Sequence, residues 1–160
     1  MASKGADLAT RFEAANADFI QKIEGLSPEQ WSKPCAETGW TAGVTAHHVA
    51  EDHAVLAQLI GGVASGASMP PITAQALDAM NAEHAQRAAN VTRDETLQLA
   101  RTNGAQAAQM LRGLSDEQLQ NTITFATPAG DQTMTAAAVA QNVLIGHIGM
   151  HLPMIESAVS

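Results

Sequence analysis

Six histidines, His47, His48, His53, His84, His147 and His151, are the residues of this chain best suited to chemistry. His147 and His151 are four residues apart. On a helix that spacing sets two imidazoles one turn apart and about 40° around the axis, close enough to share an ion. A zinc-type catalytic site takes three protein ligands and keeps one position open for water or substrate. The third ligand must therefore come from another element, and the adjacent His47 and His48 offer it. Glu51 and Asp52 follow His48 by three and four residues, so a carboxylate can share its face as a fourth ligand or as a group that orients a ring. Both clusters have apolar neighbours: Val143, Leu144, Ile148, Leu152 and Ile155 around the pair, and Val44, Val49, Val55, Leu56 and Leu59 around His47 and His48. Buried rings need partners. One divalent transition metal, Zn, Ni or Fe, shared by the two clusters supplies them, because all three suit neutral imidazole.

The remaining candidates read differently. His53 lies five residues after His48, about 140° around a helix, and reads as a surface or interface residue. His84 sits in the polar run NAEHAQR and reads as solvated. Cys35 is the sole cysteine, which excludes an internal disulfide framework and a Cys-rich zinc site. It stands near Lys33 in a loop and reads as incidental rather than nucleophilic.

The elements that must position these residues are helices. Alanine fills 32 of 160 positions while aromatics make up 3%, a composition that favours close helix packing over a β-sandwich. Leu8, Phe12, Ala15, Phe19 and Ile23 mark one face of a helix over 7–24, stopped at Gly25. Ser27-Pro28-Glu29-Gln30 is a capping box that restarts a short turn to Trp31. Thr41 caps a second long helix to about Leu59, and 61–72, with three Gly and two Pro, reads as a linker long enough to cross a bundle. Thr73 caps a third helix that is either one long element over 74–112, broken near 90–92, or two in succession, since Thr92 is itself an N-cap signature. A loop around Pro128-Ala129-Gly130-Asp131 leads into a last helix from about Thr133. Residues 23–31 (IEGLSPEQW) echo 111–119 (LRGLSDEQL), as two hairpins of similar design would. The expectation is an all-α four-helix bundle with a crossover connection, one domain over 1–160.

Sixteen acidic against eight basic residues give a net charge of −8, which repels nucleic acid and anionic membrane surfaces. The uncharged runs 54–77 and 132–155 are interrupted by Gly, Pro, Gln, Asn and His and do not read as membrane spans. The first residues, MASKGADLATRFEAANADF, lack an apolar core, so the expected location is cytoplasmic.

Gly39-Trp40-Thr41 followed by His48, and then HIGMHL at 147–152, resemble the DinB-like superfamily, which includes the metal-binding domain of mycothiol-dependent maleylpyruvate isomerases and related thiol S-transferases. LDAMNAEHAQRAANVTRDETL (77–97) and TPAGDQTM (127–134) are similar to that family's third-helix region and to the loop before its last helix. The resemblance implies that His48, eight residues after Trp40, is the helix-two ligand and that His147 and His151 are the paired ligands. The chain departs from many relatives at Leu152-Pro153, where they carry Arg-Gly. Pro153 removes an amide donor and crowds the carbonyl of Gly149, so a kink is expected there. The resemblance also implies an enzyme of thiol S-transferase or isomerase type acting on a small molecule, with a low-molecular-weight thiol as co-substrate. The alternative is a non-catalytic metal-binding or interaction bundle. Gly146 and Gly149 would allow close approach of a second copy in a homodimer.

Overall fold

A computed structural model describes residues 2–70 and 72–160. Helix α1 (Lys4–Glu24) starts where the Ser3 side chain accepts from the Ala6 amide, and it buries Leu8, Phe12, Phe19 and Ile23 along one face. A capping box at Ser27 and Gln30 opens the single turn α2 (Pro28–Trp31). Thr41 caps α3 (Ala42–Ala64), and Thr73 caps α4 (Ala74–Arg87). Thr92 and Glu95 form the capping box of α5 (Arg93–Gly113). The stretch expected as one long helix or two is therefore two.

The chain then departs from the loop expected before the last helix. Strands β1 (Thr122–Thr127) and β2 (Gly130–Thr135) form an antiparallel hairpin in which Ile123 pairs with Met134 and Phe125 with Gln132. The cause is visible in TITFAT, where β-branched and aromatic residues alternate at a period of two before a turn containing Gly130. The last helix follows from a Thr135 cap: α6 (Ala136–Val139), a π-helical turn over Ala140–Ile145, and α7 (Gly146–Val159), with Pro153 inside the last helical segment.

Four long elements make the bundle: α1, α3, α5 and the composite last helix. α3 is central, packing against α5 and against α7, while α5 packs against both α1 and α3. α3 also runs on through Gly61 and Gly62, beyond its expected end, because Ile60, Val63 and Ala64 are buried there and packing outweighs the low helix propensity of glycine. The crossover is thus shorter than 61–72, and its Pro71 lies outside the described residues. α4 lies outside the four. His84 is its one buried residue among those described, and it rests on α3. No helix among the described residues is long and apolar enough to cross a membrane.

Candidate metal centre

The sequence HHVAED on α3 writes two rows one turn long: His47 with Glu51, and His48 with Asp52. The rows face different neighbours. His48 and Asp52 point at α7, which presents His147 and His151. His147 and His151 lie with ring centroids 4.6 Å apart, and the His48 ring stands 4.7 Å from the first and 5.1 Å from the second. One ligating nitrogen of each lies within 4.8 Å of the others. The Nε2 atoms of His48 and His147 face each other at 3.0 Å. Asp52 Oδ2 is 3.5 Å from both. The structure thus brings together the three histidines singled out by spacing and resemblance, and of the two acids it aims Asp52, not Glu51, at them.

The loop before α3 completes the wall. Gly39 adopts φ 71°, a left-handed conformation open to glycine, and the Cys35 amide donates to the Trp40 carbonyl at 2.7 Å. This holds the Trp40 indole edge-on to His48 at a centroid distance of 5.3 Å. Trp40, Leu56, Leu77, Val143 and Met150 join the histidines and Asp52 around a cavity of about 560 Å³. No lysine or arginine lines it among the described residues, and its charged walls are Asp52 and Asp78.

Burial decides the protonation of the cluster. It pushes the His48 imidazolium down to about 3, helped by the neighbouring His151 and His84, and it pushes His147 and His151 below their ordinary range. All three are neutral imidazoles with lone pairs to give. Burial also raises the Asp52 carboxyl to about 7, with the Glu51 charge acting in the same direction. Nδ1 of both His147 and His151 is buried without a hydrogen-bond partner.

Two other histidines stand where the sequence did not put them. His84, expected to be solvated, is 3% exposed, and its Nε2 lies 2.9 Å from Nδ1 of His47. The surface that buries it, His47, His48 and Trp40, comes from other elements, so the polar run around it carried no signal. His53, expected at a surface or interface, is fully buried and bonded to Asn16 Oδ1 at 2.8 Å. Cys35 is buried too. Thr45 Oγ1 donates to its sulfur at 3.5 Å, and burial raises the thiol pKa, so it has no reactive thiolate character.

Comparison with known proteins fits this geometry. The sequence profile of the DinB superfamily matches residues 11–155. No curated protein matches the chain. Three solved structures share its fold at a TM-score of 0.72. One is YfiT from Bacillus subtilis, described as "a probable metal-dependent hydrolase with an unusual four-helix bundle topology", 18% identical over 96% of this chain and 85% of its own. The others are the mycothiol-dependent maleylpyruvate isomerase, 16% identical over 100% of this chain and 65% of its own, and a mutant of that enzyme, 14% identical over 97% and 63%. The chain spans less than two-thirds of the length of either isomerase chain.

Proposed function

This chain belongs to the DinB superfamily, and on that premise we propose that it holds one divalent transition metal, Zn, Ni or Fe, on His48, His147 and His151 and acts on a small molecule, with thiol S-transfer or isomerisation as the reaction class. The observation that carries the reading is the convergence of three neutral imidazoles from two helices on one cavity wall, His48 and His151 buried and His147 partly so. The donor set fits such an ion. Three nitrogen ligands leave a position open for substrate, and two Nε2 atoms facing each other at 3.0 Å can both be satisfied by one cation between them. Bound there, the ion would act as a Lewis acid, polarising a carbonyl or easing deprotonation of a thiol.

The chain's own residues do the rest. Asp52 Oδ2, 3.5 Å from both Nε2 atoms, stands on the ligand side of the rings, where it would complete the ligand set of a bound ion. The Trp40 indole packs edge-on against the His48 ring. Leu56, Leu77, Val143 and Met150 give the substrate an apolar bed beside the cluster. With no cationic side chain at the wall, the cavity favours an uncharged, largely apolar molecule over an anion.

The test is metal content of untagged protein, followed by visible spectra of the cobalt-substituted form with cysteine or glutathione added. His48→Ala, His147→Ala and His151→Ala should each lose one ion per chain, and a thiol should shift the cobalt bands. Undiminished metal in His151→Ala would refute the ligand set. A cobalt spectrum indifferent to every thiol would refute the thiol chemistry while leaving the ion in place.

A further inference from the structure

We propose that α3 carries a second divalent-metal site, distinct from the histidine triad, formed by His47, Glu51 and His84. These residues are the other row of HHVAED and the helix it faces. His47 Nδ1 and His84 Nε2 are 2.9 Å apart, and Glu51 Oε2 is 3.7 Å from the same His84 nitrogen. One ligand atom of each residue lies within 4.8 Å of the other two. Two imidazoles and a carboxylate are a complete three-residue donor set of the kind that leaves a position open on a zinc-like ion.

Two further observations point to a cation. The first is the burial of His84. It is the one buried residue among those described on α4, and Leu77 and Met80 of the same helix are left about half exposed. A helix held on the bundle by packing alone would bury those apolar groups first. α4 instead buries an imidazole aimed at two other donor groups, with its own Nδ1 unpartnered. The second is Arg87. Its guanidinium lies along the Glu51 carboxylate at 2.8 and 3.1 Å, so the cluster already draws positive charge. That side chain is 55% exposed and can swing into solvent, leaving Glu51 to an ion.

The consequence is mechanical. The site joins α3 to α4, and Leu77 and Asn81 of α4 line the cavity of the first site. An ion here would clamp α4 down and set access to that cavity. The site goes beyond the proposed function and does not depend on it.

The experiment titrates chelator-treated, untagged full-length chain with Zn²⁺ against a chromophoric chelator, and follows amide hydrogen exchange over 74–87. Wild type should take two Zn²⁺ per chain, and the second should protect α4. Glu51→Gln and His84→Asn should each lose that ion, by about a hundredfold or more in affinity, since loss of outer-shell partners alone costs ~10–100-fold. Arg87→Ala should bind it more tightly. His147→Ala should keep it, with α4 still protected, even where the triad binds nothing. A single Zn²⁺ in wild type, with titration and α4 exchange unchanged in Glu51→Gln, would overturn the proposal: the cluster is then only a hydrogen bond and an ion pair. So would loss of both ions in folded His84→Asn, which would assign His84 to the triad.

Discussion

Replacing His53 by Gln should flatten the acid side of the stability curve. His53 is fully buried on α3, edge-on to Phe12 and Phe19 at centroid distances of 5.0 and 6.3 Å. Asn16 Nδ2 donates to the Ala100 carbonyl at 3.1 Å, which leaves Oδ1 to face His53. Oδ1 only accepts, so Nε2 carries a proton, while Nδ1, buried without a partner, has no acceptor for a second one and the neutral ring is favoured. Burial pushes its pKa from the ordinary 6.5 down to about 4. In the unfolded chain the ring binds a proton through that window, and in the fold it does not. Its contribution is therefore complete above pH 6.5 and is lost as pH falls towards 4. At about 1.4 kcal/mol per pH unit the full loss is roughly 3 kcal/mol, of which about 2 fall between pH 7 and 5. The assay is urea unfolding at both pH values, with a chelator present so that metal release does not add to the slope. His53→Gln starts from a lower stability but should lose about 2 kcal/mol less on acidification than wild type. Equal losses in the two proteins would refute the argument, because the acid sensitivity would then come from elsewhere.

Gly104→Ala would place its methyl on the Asn16 amide. The helix-propensity gain of about 1 kcal/mol is outweighed by overpacking and by breaking the His53 bond, so a net loss of about 1–3 kcal/mol is expected in the same unfolding assay. Cys35 should resist a thiol reagent in the native protein and react once unfolded; prompt native labelling would contradict its burial. A chelator should lower the melting temperature of wild type in proportion to bound metal, and should do so less in His147→Ala, where only the second site can respond. Metal affinity at the triad should persist well below pH 6 and fall only as the pH nears the depressed range of its ligands, about 3 for His48, since imidazoles must be deprotonated to bind; a fall already under way between pH 7 and 6 would argue against ligands held neutral by burial.

Much of the frame was legible because it is local. Ser27, Thr41, Thr73 and Thr92 each cap the helix that their sequence announces, with the side-chain oxygen on an amide three residues on. The spacing of His147 and His151 and the apolar setting of both clusters point to two helices sharing one site, and the family resemblance is what selects His48 over His47. The failures are non-local. A polar run cannot show that Trp40 and His47 will close over His84. An angle of 140° from His48 turns His53 outward only on a helix that has an outer face, and α3 has none there. α3 sits at the centre of the bundle and buries residues all round, as the scarcity of charge along it, Glu51 and Asp52 alone, already hints. The hairpin, by contrast, has a local signal, since TITFAT alternates as a strand does.

The last helix carries a subtler signal. Ala136, Ala140, Leu144 and Ile148 are all buried, in steps of four. On a regular α-helix each such step turns about 40°, so three steps would carry Ile148 about 120° off the line of Ala136. The wider π turn over Ala140–Ile145 slows that rotation and keeps the stripe on the core. His147 is fixed by the same adjustment. It precedes Ile148, so the side of the helix on which its ring emerges depends on how far the turn has wound before it. The wall of the cavity carries the same dependence through Val143, which lies within the turn. A buried Gln141 oxygen without a partner lies in this segment as well. The widened turn and the unpartnered Nδ1 atoms of His147 and His151 thus fall together beside one cavity. Such violations persist where function selects them, and their convergence here ties the backbone irregularity to the geometry of the histidine cluster.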